Sequence, residues 1–332
     1  MKRIKQLTIL LTLLFLTACN VNASVNDGKA ELTELSERAH ALEEKSMPER
    51  YIINPISNLD IKAEAAVLVN ALTGDVIFEK NSSESLPVAS MSKMMTELLI
   101  LEAVEEGALR WKDTVEISDY AYVISNHPGF SSVLLQQDEA YTIQELFNAM
   151  AIRSANGATI ALAEALSGSE KEFVALMNDR ARELGLEDTY FVNSTGLTNH
   201  DLQGFHSTGS LDDKNMMSAN DLAVLAKYVI NRYPELLEVT KMKEFDFQEK
   251  TYANSNWMLP GTEVDFIDID VTFAGVDGLK TGFTDEAGYG FTGTVQMDDV
   301  RVISVIIGTE EIEDRFLETI TLYEAVLEQT KG

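Results

Sequence analysis

In LPVASMSKMMTELLILEAVEEG, residues 86–107, Ser90 and Lys93 stand one turn apart at the start of an apolar helical pattern. Positions i and i+3 share a helix face, so the lysine amine can reach the serine hydroxyl. A serine at a helix start is ordinarily an N-cap that accepts a backbone N–H. A lysine there meets the positive end of the helix dipole. The alternative is thus a cap beside a solvated lysine. The chemical reading is a nucleophile and its base, which requires a lysine uncharged under working conditions. A helix N-terminus and a nearby cation both lower an amine's pKa. This is the only S-x-x-K in the chain.

Two further stretches carry polar groups in suggestive places. Ser154 and Asn156, in MAIRSANGATIALAEAL, interrupt two apolar helical runs. S-x-N also occurs at Ser24 and Ser218, where a polar tether and a helix cap explain it; a polar break between apolar runs more often lines a site. Lys280, Thr281 and Gly282, in GVDGLKTGFTDEAGYGF, read as a strand. Such a strand offers a cation and a hydroxyl to a carboxylate, and its glycine admits a ligand close to the backbone. A solvated edge strand is the alternative. The four histidines (His40, His127, His200 and His206) have no metal-ligand spacing, so no metal and no cofactor is expected.

The elements that must position these residues follow from periodicity. AAVLVNA and VIFEK, separated by LTGD, predict a hairpin. Helical patterns cover Thr142–Leu186 and residues 218–237, the latter with Ser218 as cap and Pro234 near its end. Strands return in GLKTGF, GYGFTGTVQM and VRVISVIIGT, with Asp298 and Asp299 at a turn, and a last helix is expected over Ile312–Glu328. The order predicts an α+β fold: an antiparallel five-stranded sheet whose first strands pair with its last, flanked by helices, with a helical subdomain inserted between.

The chain has 332 residues, 45% of them hydrophobic, enough for a substantial core. Lys2, Arg3 and Lys5 precede an uncharged run from Leu7 to Ala18, too short to span a bilayer and typical of an export signal. The run ends in LTAC, with the only cysteine at Cys19. This resembles the lipobox of bacterial lipoproteins, and implies lipidation of Cys19 and anchoring on the outer face of the cytoplasmic membrane. Ordinary cleavage after Ala18 or Ala23 is the alternative. Residues 19–57 read as a polar tether followed by a helical spacer, and 58–332 as the catalytic domain. Formal charge is −28, and loss of three cations with residues 1–18 makes it −31. So acidic a surface excludes nucleic acid as a partner.

The ordered set S-x-x-K, S-x-N, K-T-G is a known signature of penicillin-binding proteins and class A β-lactamases. From about Ala65 to Leu327 the chain resembles the low-molecular-mass penicillin-binding proteins, the serine-type D-alanyl-D-alanine carboxypeptidases. The likeness extends through VASMSKMMT, the long stretch from SANGATIALAEAL to FVNSTGL, SANDLAVLAKYVI and GVDGLKTGFTDEAGYGFTGT. It implies a DD-peptidase/β-lactamase-like fold, and peptidoglycan stem peptides ending in D-Ala-D-Ala and β-lactams as ligands. Ser90 would be the nucleophile, Lys93 its base, and Ser154, between Lys93 and Lys280, the proton relay to the leaving D-alanine. Asn156 would bind the substrate amide. Lys280 would keep the field positive, and Thr281 and Arg315 would bind the terminal carboxylate. The N–H groups of Ser90 and Phe283, beside Gly282, would form the oxyanion hole. For Arg315 the alternative is a surface residue beside Glu311 and Asp314.

Three departures from the family pattern stand out. Phe283 replaces the histidine frequent after K-T-G. Residues 200–217 form a longer stretch than usual. The usual C-terminal β-domain and amphipathic anchor are expected to be absent, with the N-terminal lipid in their place. Class A β-lactamases deacylate through a glutamate in E-x-x-x-N; no Glu between the second and third motifs has Asn four residues on. Slow β-lactam hydrolysis is therefore expected. The remaining rivals are an endopeptidase and a binding-only sensor.

Overall fold

Runs rich in Val and Ile build the centre. β1 (Ala65–Asn70) and β2 (Val76–Lys80) form the expected hairpin, and β3 (Val276–Thr284), β4 (Gly288–Met297) and β5 (Val300–Thr309) a meander. The structure, a computed structural model, describes residues 53–264 and 267–330. The leader, Cys19 and most of the tether and spacer lie outside the described residues.

The five strands form one antiparallel sheet in the order β2-β1-β5-β4-β3. β1 joins the two halves of the sequence, with Ala65 opposite Ile307 and Asn70 opposite Val302. All six β1 residues are buried. Continuous burial of this kind means that both faces of the sheet are covered.

The helices are α1 (Lys93–Glu105), α2 (Asp119–Ser125), α3 (Ile143–Arg153), α4 (Asn156–Ser167), α5 (Glu170–Glu183), α6 (Ala219–Arg232), α7 (Leu236–Thr240) and α8 (Asp314–Thr330). α6 packs against β1 and β5, and α8 against β4 and β5. Helices α2 to α5 make the inserted helical region, with α4 packed on α2, α3, α5 and α1.

Local chemistry explains where the predicted helices break. The stretch expected to be helical over Thr142–Leu186 divides into three. α3 opens with a capping box: Thr142 accepts from the Glu145 N–H, and Glu145 accepts from the Thr142 N–H. It ends at Ser154, whose φ is +62°. α5 is capped by the Ser169 side chain. The helix expected to reach residue 237 stops at Arg232. Tyr233 leaves the helical region because it precedes Pro234, whose ring disfavours α geometry in its neighbour. Short paired strands at Leu86–Pro87 with Met216–Met217, Thr114–Glu116 with Ala140–Thr142, and Glu244–Phe247 with Lys250–Ala253 are too brief for a periodicity argument to find.

The chain joins this body before position 58. The Ile56 N–H donates to the Ile77 carbonyl at 2.6 Å, and the Asn54 N–H donates to Gln329 at 2.9 Å. Glu318 on α8 then accepts from the N–H groups of Lys62 at 2.8 Å and Ala63 at 2.9 Å, 7% exposed. A carboxylate holding two backbone donors is a charge-assisted clamp. Glu318→Ala is expected to lower stability by about 2 kcal/mol, read as a fall in the midpoint of urea unfolding with the slope unchanged.

Candidate active site

Ser90 does not cap α1. It lies in a 3-10 turn over Ala89–Ser92, and α1 begins at Lys93 with no side-chain cap. The N-cap alternative is thereby removed, and the hydroxyl turns to Lys93: Nζ lies 2.7 Å from Ser90 Oγ. Lys93 is wholly buried.

The amine has two other partners. It donates to Asn156 Oδ1 at 2.7 Å and to the Thr195 carbonyl at 2.5 Å. A neutral amine has two N–H donors and one lone pair. With both donors held by fixed acceptors, the lone pair is left facing Ser90, whose hydroxyl can then donate to it. Burial above all, and then the charge of Lys280, push the Lys93 pKa well below the usual lysine range, with Glu97 opposing.

The Thr195 carbonyl is held by a dense loop. Asn193 Oδ1 accepts from the N–H groups of Thr195 and Gly196, at 3.0 and 2.8 Å, and Thr96 Oγ1 donates to the Ser194 carbonyl at 3.0 Å. Glu170 accepts from both the N–H and the hydroxyl of Ser194, at 3.0 and 2.7 Å. Gly196 has φ +82°, and a Cβ there would stand 2.0 Å from the Ala89 carbonyl oxygen. Only glycine permits the loop to come this close to the turn that carries Ser90.

Asn156 occupies the first position of α4, where its N–H donates to the Ser131 carbonyl at 3.0 Å. It is reached through the left-handed residue Ser154, a strained conformation for a residue with a Cβ. Ser154 Oγ is buried and makes no hydrogen bond among the described residues. An unpaired buried hydroxyl is costly unless something else supplies its partner.

On the other wall, β3 carries Lys280 (1% exposed) and Thr281. Lys280 Nζ donates to the Thr281 carbonyl at 3.2 Å. Its pKa is pushed down to about 8, mainly by burial, with Glu97 raising it and Arg315 lowering it. Thr281 Oγ1 donates to Ser255 Oγ at 2.8 Å. The next residue, Gly282, would place a Cβ 2.7 Å from the Val88 carbonyl oxygen, so the strand lies directly against the Ser90 turn.

Arg315 is 5% exposed, which excludes the surface pairing with Glu311 and Asp314. Its guanidinium donates to the Gly282 carbonyl at 3.3 Å. It is boxed by the rings of Phe316, Tyr289 and Trp257 at 4.7, 5.4 and 5.7 Å. Burial lowers its pKa to about 10, with Tyr289 opposing, so it is cationic at neutral pH. Phe283 stacks on Tyr289, ring centres 4.2 Å apart, and is 45% exposed at the rim.

A cavity of about 650 Å³ runs between the two walls and is lined by Ser90, Ser154, Asn156, Thr281, Phe283 and Arg315 among others. Lys93 and Lys280 sit beneath it, buried. Every residue picked from the sequence within the described region therefore gathers at one place, though not with the partners expected: Lys93 bonds Asn156 where Ser154 was foreseen. Sequence reading missed Thr195, which acts through a backbone carbonyl, and Ser255, which has no motif. It also missed Glu97, detectable only as K-x-x-x-E on the helix that bears Lys93. Among the described residues, no group of three or more His, Cys, Asp or Glu side chains could hold a metal ion.

Comparison with known proteins places this geometry. Similarity to D-alanyl-D-alanine carboxypeptidase DacF of Bacillus subtilis (strain 168) reaches 37% identity over 259 residues, covering 78% of this chain and 60% of that one. With DacC of Escherichia coli (strain K12) it is 32% over 261 residues, covering 78% and 60%. The chain thus spans about three fifths of the length of these relatives. Among solved structures, a peptidoglycan synthesis regulatory factor (PBP3) of Streptococcus pneumoniae superposes with a TM-score of 0.76 at 36% identity, covering 81% of this chain and 74% of that one. Penicillin-binding protein D2 of Listeria monocytogenes, in its cefotaxime-bound form, gives 0.69 at 30%, covering 82% and 100%. The fold is accordingly that of the DD-peptidases. The family described as D-alanyl-D-alanine carboxypeptidase, Peptidase_S11, matches residues 53–311, and the chain belongs to it.

Proposed function

We propose that the protein is a serine D-Ala-D-Ala carboxypeptidase that removes the terminal D-alanine of peptidoglycan stem peptides and is acylated by β-lactams. One observation carries this: the buried Lys93 amine, 2.7 Å from Ser90 Oγ, with its other two contacts fixed on acceptors. Ser90 attacks the carbonyl between the two D-alanines while its proton passes to Lys93, and an acyl-enzyme forms as the peptide bond breaks. Ser154 Oγ, without a hydrogen-bond partner among the described residues, passes a proton to the departing amine. The N–H groups of Ser90 and Phe283 hold the oxyanion.

Arg315, Thr281 and Ser255 receive the terminal carboxylate, and Lys280 supplies the positive field. Asn156 has its oxygen on Lys93, and one N–H of its amide donates to the Ser131 carbonyl at 3.3 Å, which leaves the other N–H for the substrate. The second water-requiring step has no E-x-x-x-N carboxylate to assist it, in keeping with slow release of a bound penicillin.

Export and anchoring belong to the same proposal. The LTAC sequence favours a lipid on Cys19, which would hold the domain on the outer face of the cytoplasmic membrane. Among the described residues no helix is long and apolar enough to cross a membrane.

Incubation with a pentapeptide ending in D-Ala-D-Ala is expected to release D-alanine, and Ser90→Ala to lower the rate by about 1000-fold or more. Release that survives the substitution would displace Ser90 as nucleophile. For pH, the active form has Lys93 neutral and Lys280 cationic. Lys280 has a depressed pKa, so its charge is present below about 8 and is lost as pH rises through that value. The acylation rate is expected to decline there, read from the pH profile of penicillin binding. Cys19→Ala is expected to move the protein from the membrane to the soluble fraction; retention in the membrane fraction removes the lipid assignment.

A further inference from the structure

Glu97 is a carboxylate in an unusual position. It is 1% exposed, and neither oxygen has a hydrogen-bond partner among the described residues. It lies four residues beyond Lys93 on α1, on the same helix face and one turn deeper. A buried carboxylate without donors is costly, and it persists only where nearby positive charge compensates for it. Burial pushes the Glu97 pKa up to about 7, and two buried lysines oppose that rise, Lys280 from β3 most and then Lys93 above it on α1.

The count of charges at the site explains why such a group is present. Lys93, Lys280 and Arg315 bring three basic groups together, each buried. The proposed chemistry requires Lys93 neutral and Lys280 charged, although both are equally buried. Burial alone discharges both. An anion that acts on the pair offsets this and lets one charge remain. Of the other ionisable groups on elements packed against α1, Glu164 of α4 faces Ser118, Arg153 of α3 closes that helix, and three more have partners of their own. Glu170 of α5 binds Ser194, Arg180 of α5 pairs with Glu102, and Asp221 of α6 binds Thr189 and the Asp188 N–H. Arg315 acts on Lys280 from α8, but as a cation it works against retention of the Lys280 charge.

We propose that Glu97 is a positioning residue, the counter-charge that keeps Lys280 cationic while Lys93 serves as the base. It touches no substrate; it acts through the two lysines. The assignment rests on the carboxypeptidase reading of the site. Removal of its negative charge lowers the proton affinity of both lysines. The acid limb of the rate profile, where Lys93 gives up its proton, and the alkaline limb, where Lys280 does, therefore move together toward lower pH.

The test is the second-order rate of acylation by a fluorescent penicillin, measured against pH on the full chain, on Glu97→Gln and on Glu97→Asp. The expected result is a displacement of both limbs by about one pH unit or more in E97Q, with E97D returning toward the unaltered profile. A purely structural role lowers the rate or the stability without moving the limbs. An unaltered chain that takes no penicillin overturns the carboxypeptidase reading and this role with it. An unaltered chain that acylates, with E97Q keeping the same profile, overturns the Glu97 assignment alone. If E97Q does not fold, carbon-13 spectra of glutamate-labelled unaltered protein decide the matter. The Glu97 carboxyl, assigned through E97D, is expected to be ionised at the pH of fastest acylation, and a protonated carboxyl there refutes the proposal.

Discussion

An amine kept dry is the constraint on which this site depends. Transfer of an ammonium from water to a protein interior costs several kcal/mol even after relaxation, so a lysine as buried as Lys93 gives up its proton instead. What the fold must then do is hold the neutral amine in one orientation. The Asn156 side chain and the Thr195 carbonyl do so from two separate segments, and both are themselves tied down, one through the Ser131 carbonyl and the other through Asn193 and Glu170. The turn that carries Ser90, the inserted helices and the 193–198 loop meet at this one nitrogen.

The surroundings are graded in polarity around it. On one side Ser154 is presented from a left-handed residue between two helices, with its hydroxyl left unpaired. On the other, Thr281 and Ser255 bond each other, and Arg315 is held among three rings, in no ion pair with a carboxylate among the described residues. A guanidinium whose near neighbours are aromatic faces is poorly solvated and unpaired, and so attracts an incoming anion more strongly than one already in a salt bridge. Phe283 continues the aromatic wall to the surface where a histidine is frequent in the family. That exchanges a titratable rim group for an apolar one.

Much of this was legible in the sequence, for reasons that differ by residue. The sheet was readable because β1 and β5 are mostly apolar, β5 being rich in Val and Ile, and the S-x-x-K, S-x-N and K-T-G groups because side-chain chemistry and spacing coincide. Arg315 was only half legible: its neighbours in sequence are acids, yet the α8 start turns it inward to the Gly282 carbonyl. Thr195 was illegible in principle, since any residue supplies a carbonyl. The helix that ended at Arg232 was overextended because the apolar period continues past Pro234 into α7. The switch of Asn156 to Lys93 follows from its place at the first turn of α4, which no spacing argument resolves.

The pairing of β1 with β5 also bears on how the protein comes to exist. Residue 65 finds its partner at residue 307, and the turn that carries Ser90 is pressed against β3, nearly two hundred residues later. Contacts so remote in sequence form late, after the entropy of closing a long loop has been met. Until those contacts close, Ser90 is an ordinary hydroxyl. Lys93, three residues on, finds the acceptors that orient it, Asn156 and Thr195, in the middle of the chain, and the facing wall comes from the end, with the β3–β5 meander.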